Sequence, residues 1–346
     1  MTPTFRQLAN AAILSACLVG GAALIRAVTP SPYVPNVTPK LVHLQDNPDA
    51  YDVLFIGSSR VYRHVVPQVF ERRLAERGID VRSFNAGIPA ARSVEIWSFM
   101  NRLADSGVRA GWVFVEPDGL ASGIRKENLG TERETYWHGS AETMLAVRSL
   151  ENHDLPTRIR MSGLHAGSWV FNRLGVGRLR LLGLDLMSPA VNAWASRQNL
   201  GSDGDGWVGF VESQDSGISR RRRNFLDRIP TYRRQLANQA AQFSRSGCLT
   251  SYRREMLSHF QSAARRLGAE PVFILSPALH PRCEVHEAFR LGLLPNLFAF
   301  DDARVYPELY EVDNRFDHEH LNTEGATLYS QLLADAFAEH LEGGGR

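Results

Sequence analysis

The chain predicts an α/β fold built on a mainly parallel sheet, with one membrane-length apolar segment ahead of it. Three observations lead there. Short apolar runs end in Gly, Ser, Asn or Pro, amphipathic stretches of helical length separate these runs, and residues 8–25 hold 18 positions without a charge. Apolar runs bounded by turn residues and separated by helices imply βαβ units, with the sheet covered on both faces.

Residues 8–25 are mostly Ala, Leu, Ile, Val and Gly, bracketed by Arg6 and Arg26. That length just spans a bilayer as a helix. Four outcomes compete: an uncleaved anchor, a cleaved signal peptide, a lipoprotein and a buried helix. A cleaved signal peptide would use the small residues of 23–27, and a lipoprotein would use Leu14-Ser15-Ala16-Cys17. Arg26 followed by Pro30, Pro32 and Pro35 favours an uncleaved anchor over residues 1–28 and a stiff linker over 29–48. The expected location is a single-pass inner-membrane protein, with residues 49–346 on the periplasmic or extracytoplasmic side.

The alternation begins after the linker. Residues 52–59 (DVLFIGSS) form a first strand and 67–78 a first helix. Strand 80–88, helix 93–106 and strand 111–118 follow. After a break come helix 249–267, strand 271–277, a short helix over 284–291, strand 296–302 and a last helix over 323–342. Residues 119–231, rich in Gly, Ser, Arg and Trp, interrupt the pattern and read as a partly helical insertion over the active-site end. One domain with a lid is expected, not two independent domains. Ligands of parallel sheets bind at the carboxyl ends of strands, which directs attention to Ser58, Ser59, Asn85, Gly87, Glu116, Asp118, Ser276 and His280.

A net charge of +2 makes no argument for nucleic acid, and residues 220–223 (RRRR) read as a solvated helix face. Cys17 lies in the apolar segment, leaving Cys248 and Cys283 as a disulfide or as two buried thiols. A helix start and the end of the strand that follows it lie on the same side of an α/β layer, so the bridge is geometrically reasonable. His280, Cys283 and His286 stand three apart in succession, yet Cys283 has the disulfide option, and no metal is expected. Trp137, Trp169, Trp194 and Trp207 lie in the insertion, where core packing competes with a sugar platform.

Two segments near opposite ends carry the chemistry. Gly57-Ser58-Ser59 closes the first strand, and Asp317-His318-Glu319-His320 precedes the last helix. They supply a hydroxyl, an imidazole and a carboxylate, the groups of serine-type acyl transfer. Phe55-Ile56-Gly57-Ser58-Ser59, Asn85-Ala86-Gly87 and Asp317-x-x-His320-Leu321-Asn322-x-x-Gly325, in that order, resemble the blocks of the SGNH (GDSL-type) hydrolase superfamily. The narrower resemblance is to its membrane-anchored bacterial members that transfer or remove acyl groups on envelope polymers.

The resemblance implies a flavodoxin-like three-layer α/β/α sandwich that needs no cofactor. It implies Ser59 as nucleophile, His320 as general base and later acid, and Asp317 as the carboxylate orienting His320. The N–H groups of Ser59 and Gly87 would receive the oxyanion, and losing one such donor costs about 10²–10³ in rate. Asn85, Arg60 and Asp118 complete the expected oxyanion and substrate set, Arg60 meeting either an anionic substrate or a protein carboxylate. His318 is expected to be exposed. One block departs from the family. Where it carries Gly-x-Asn-Asp, this chain reads Val115-Glu116-Pro117-Asp118, and a carboxylate cannot donate to an oxyanion unless protonated.

The implied activity is transfer or hydrolysis of an O-acyl group, in the first instance acetyl, on an envelope or extracellular polysaccharide. A multipass membrane acyl donor is the implied partner. The missing Asn and the long insertion keep open a catalytically silent polysaccharide-binding or scaffold component of an export or modification complex.

Overall fold

The computed structural model describes residues 4–28, 33–120, 132–175, 199–210, 217–243 and 246–343. They divide into two compact units, Met1–Val34 with Arg125–Ala195, and Pro35–Ile124 with Ser196–Arg346. The described parts of 119–231 fall in both units, 132–175 in the first and 119–120, 199–210 and 217–231 in the second. Pro30, Pro32 and Trp194 lie outside the described residues.

In the first unit, helix α1 (Phe5–Val28) contains a 21-residue stretch, Phe5–Ile25, of mean hydropathy 2.0 with none of it buried, long and apolar enough to cross a membrane. Its described residues also form helices α6 (Glu132–Trp137), α7 (Ser140–Arg148) and α8 (Leu155–Leu174). Asp154 caps α8 by accepting from the N–H of Thr157, and Gly175 ends it in the left-handed region at φ 66°. Trp137 is fully buried here, edge-on to Tyr136, so it packs a core. Trp169 is partly exposed and donates to Ser140 Oγ at 3.2 Å.

The second unit holds a parallel sheet of five strands in the order β2-β1-β3-β4-β5. Strand β1 is Val53–Ile56, β2 Ser83–Asn85, β3 Trp112–Val115, β4 Glu270–Leu275 and β5 Leu297–Ala299. Every residue of β1 is buried, as are the last three of β3 and the last five of β4. Their near-continuous Val, Leu, Ile and Phe runs follow from burial on both faces.

The helices of this unit are α2 (Thr38–Asp46), α3 (Ser59–His64), α4 (Pro67–Ala75), α5 (Ser93–Asp105), α9 (Ile218–Leu226), α10 (Ile229–Ala237), α11 (Ser251–Arg266), α12 (Cys283–Arg290) and α13 (Thr323–Gly343). Alternation puts Val53, Phe55, Phe114, Val272 and Ile274 on one sheet face. There they join Phe70 and Leu74 of α4 and Tyr329, Leu333 and Phe337 of α13. Phe55 meets Phe70 edge-on at 5.0 Å, and Phe114 meets Phe337 at 5.1 Å. Truncating one such buried Phe to Ala costs about 3–5 kcal/mol. Helices α5 and α11 pack on each other, and α11 packs on β4.

Boundaries differ from expectation in two places. Strands end early because the residues beyond them, such as Gly87 and Glu116, turn into the loops of the rim. Residues 29–48 are not all linker: 38–46 form α2, whose Leu44 and Lys40 are fully buried.

Candidate active site

The rim of the sheet at the end of β1 is built by close approach. A Cβ on Gly57 would lie 2.5 Å from Val61 Cγ2 and 2.7 Å from Glu116 Cβ, so only glycine lets the chain turn from strand into α3. Ser58 is the N-cap of α3, its side chain accepting from the Arg60 N–H at 3.3 Å. Its hydroxyl donates to Glu116 Oε2 at 2.7 Å, and its N–H donates to the same oxygen at 3.1 Å. Ser59 is the first helical residue, and its hydroxyl turns the other way.

Ser59 Oγ lies 2.9 Å from His320 Nε2. His320 Nδ1 lies 3.0 Å from Asp317 Oδ1, and Asp317 and His320 are 2% and 5% exposed. The loop rigidifies itself, because Asp317 Oδ1 also accepts from the N–H groups of Glu319 and His320, both at 2.8 Å. His318 is exposed, as expected. His320 therefore links the three residues that the sequence singles out, bonding to Ser59 across 261 positions of chain and to Asp317 within its own loop.

Arg221 on α9 ion-pairs with Asp317, and its Nη2 stands 3.1 Å from His320 Nδ1. A ring nitrogen cannot donate to Asp317 and accept from Arg221 at once. With Nδ1–H given to Asp317, Nε2 is left as an acceptor for the Ser59 hydroxyl, and Arg221 is satisfied by Asp317 Oδ2. Arg222 donates to the carbonyls of Arg315 and Phe316 at 2.5 and 3.1 Å, tying α9 to the loop. The expectation that residues 220–223 form only a solvated face is corrected at these two positions. A run of arginines carries no local signal that separates its members.

Charge follows from this packing. Burial opposes the Asp317 carboxylate, but the hydrogen bond from His320 and the charges of His320 and Arg221 hold its carboxyl well below the usual range. Burial lowers the His320 pKa from 6.5, against the pull of Asp317 and with the help of Arg221 and Arg60. The imidazole is therefore neutral at pH 7, the form a general base needs.

Behind it, His64 is fully buried, accepts the Leu321 N–H at 3.1 Å and meets the His320 ring edge-on at 5.9 Å. Phe210 meets His320 on another side, at 5.6 Å, and stacks on Phe316 at 3.8 Å. Phe210 follows Val208 and Gly209, whose carbonyls accept from Arg63 at 2.8 and 2.9 Å. Trp207 donates to the Arg63 carbonyl at 3.0 Å and packs on Val66, Val69 and Ala326, a core role.

The expected oxyanion and substrate set is largely redirected. Asn85 is fully buried, and its side-chain amide donates to the carbonyls of Val61 and Val65 at 2.7 and 2.6 Å. Its Oδ1 accepts the Gly87 N–H at 2.9 Å. Neither group is directed at Ser59, and Asn85 is a staple between β2 and α3. Gly87 is required for another reason, since a Cβ there would lie 2.3 Å from Tyr62 N. Lys40, unremarked in the sequence, donates to the carbonyls of Asn85 and Gly206 at 2.6 Å and of Gly87 at 3.0 Å.

Arg60 and Asp118 meet each other at 3.3 Å, and Asp118 also pairs with Arg282. Burial resists the Asp118 charge, but Arg282 and Arg60 bring its pKa down to about 2. Of the two partners open to Arg60, the structure supplies the protein carboxylate. Glu116, where a side-chain donor is expected, accepts from Ser58 and lies 3.7 Å from Arg60. Burial raises its pKa.

Cys248 and Cys283 form a disulfide with Cα atoms 6.0 Å apart, which decides between the two sequence alternatives. Cys283 is thereby removed from any metal set, while His286 pairs with Asp301 at 3.0 Å and His280 with Gln242 at 3.1 Å. No protein family model matches this chain, and no curated protein matches it.

Proposed function

We propose that the chain is a membrane-tethered serine acyl enzyme of the SGNH type, moving an O-acyl group, in the first instance acetyl, to or from a polysaccharide hydroxyl. The observation that carries the reading is the continuous hydrogen-bonded chain Ser59 Oγ, His320 Nε2, His320 Nδ1, Asp317 Oδ1, with steps of 2.9 and 3.0 Å. Ser59 Oγ attacks the acyl carbonyl as His320 Nε2 takes its proton. Asp317 offsets the imidazolium charge, and His320 then gives that proton to the leaving alkoxide. Acyl-Ser59 is discharged by a sugar hydroxyl or by water, which His320 deprotonates in turn. Transfer and hydrolysis share every step but the acceptor.

The N–H of Ser59, a first-turn donor of α3 without an intrahelical acceptor, would meet the oxyanion. The strand order 2-1-3-4-5 fits a flavodoxin-like doubly wound sheet, with helices on either side as a three-layer sandwich. Helix α1 suits a single inner-membrane pass, and the Cys248–Cys283 bridge suits an oxidising, extracytoplasmic compartment. A multipass acyl donor in the same membrane is the partner this arrangement calls for.

A second reading, a silent polysaccharide-binding or scaffold component, is favoured by one observation. The Gly87 N–H is already held by Asn85, and Glu116 stands where a donor is expected, so oxyanion stabilisation rests on fewer groups. An alkyl-fluorophosphonate probe separates the two. The enzyme reading expects labelling of the full chain that Ser59→Ala abolishes, and an unlabelled wild-type chain sinks it.

A further inference from the structure

Residues 217–243 hold seven arginines and one acid, Asp227, a net charge of +6 in a chain whose total is +2. Arg220, Arg223, Arg228, Arg233 and Arg234 are exposed, and none forms an ion pair with another described residue. Such a concentration is not needed for solubility and raises the local concentration of anions.

Beneath this charge lies a cavity of about 310 Å³. Helix α9 and the turn after it line it with Arg221, Phe225 and Arg228, spaced four and three apart and so on one helical face. Helix α10 answers with Tyr232 and Gln235, again three apart. The opposite wall is Asp317 and His318, which puts the cavity against the loop that presents His320. The aromatic wall is fixed: Phe225 meets Tyr232 edge-on at 5.2 Å, and Tyr232 donates to the Tyr310 carbonyl at 2.7 Å.

We propose that this cavity binds a carboxylate-bearing sugar residue of an acidic polysaccharide, with Arg228 pairing its carboxylate and the buried Phe225–Tyr232 pair forming the floor beneath it. Guanidinium recognises carboxylate in a bidentate, charge-assisted way. Asn224, Thr231 and Gln235 add side-chain amides and a hydroxyl for the sugar hydroxyls. The polymer would then continue over the exposed arginines. A lipid headgroup would engage those arginines without needing the cavity, so the cavity favours the glycan. The proposal deepens the acyl-enzyme reading of Ser59 by naming the class of its acceptor.

The test uses the full chain in phosphatidylcholine nanodiscs, titrated with hexagalacturonate and with neutral maltohexaose. The acidic oligomer is expected to bind about tenfold or more tightly than the neutral one, and Arg228→Gln to remove most of that preference. Arg265→Gln, an exposed arginine of α11, should leave it unchanged, and raising salt from about 0.05 to 0.5 M should weaken only the acidic oligomer. Equal affinity for both oligomers, binding of neither, or indifference to Arg228→Gln overturns the proposal. So does transfer of the Arg228 dependence to phosphatidylglycerol nanodiscs. Ser59→Ala is titrated alongside. Binding without fluorophosphonate labelling of wild type leaves the subsite and sinks the acyl enzyme, whereas labelling without acidic preference does the reverse.

Discussion

The ends of β1 and β3 are neighbours on one sheet, and they treat their polar groups in opposite ways. After β1, the Ser59 hydroxyl stands against a neutral imidazole that a single carboxylate orients. After β3, Glu116 accepts twice from Ser58, while Asp118 is shared between Arg60 and Arg282. The first arrangement leaves a proton free to move along a line of hydrogen bonds. The second consumes every charge in holding the turn. Buried charge near a site is therefore no sign of chemistry in itself; what matters is whether an acceptor with a free lone pair faces a transferable proton.

The comparison can be broken most directly at Ser59 and His320. Ser59→Ala or His320→Gln should cut the fluorophosphonate labelling rate by about 10⁴–10⁶, and Asp317→Asn by roughly 10²–10⁴ by presenting the wrong tautomer. All three should retain a folded chain, as judged by circular dichroism, and retained labelling in His320→Gln would remove the basis for the acyl-enzyme reading. Across the rim the expectation reverses. Glu116→Ala leaves the Ser58 N–H and hydroxyl without their acceptor, at about 1–3 kcal/mol of stability. Glu116→Gln keeps an oxygen for Ser58 and should change labelling less than about tenfold, so a larger fall would show that this carboxylate belongs to the chemistry.

The pH profile sharpens the contrast further. The folded-state pKa of His320 lies below 6.5, so the neutral ring is present above that value and is lost as pH falls through it. The acid limb of the labelling rate should have its midpoint under pH 6.5. Asp118, held at about 2, stays charged throughout and contributes nothing to that limb. His64 adds the smallest effect. Burial holds its pKa well below 6.5, so its contribution to stability is full above about pH 6.5 and lost below it. The gap in melting temperature between pH 7.5 and pH 5 should narrow in His64→Phe, and an unchanged gap would remove His64 from the account.

What the sequence by itself determined is what short windows encode. Continuous apolar runs closed by turn residues marked the five strands, period-3.6 stretches marked α4, α5, α11 and α13, and a charge-free stretch marked α1. Asp317 and His320 were legible because both sit on one short loop, and Gly57 because a turn that tight excludes a side chain. Tertiary structure alone decided the rest. Ser58 and Ser59 are chemically identical in sequence, and only the positions of Glu116 and His320 make one a structural cap and the other the hydroxyl beside the base. Asn85 and Gly87 satisfy each other instead of a ligand, Lys40 is drawn from an expected linker into the core, and Arg221 leaves its run to meet Asp317. These choices join residues from 45 to 261 positions apart, Asn85 and Gly87 excepted. Local periodicity sets which groups are buried, but buried polar groups take whichever partner the packing brings within about 3 Å, and that is fixed only when the layers close.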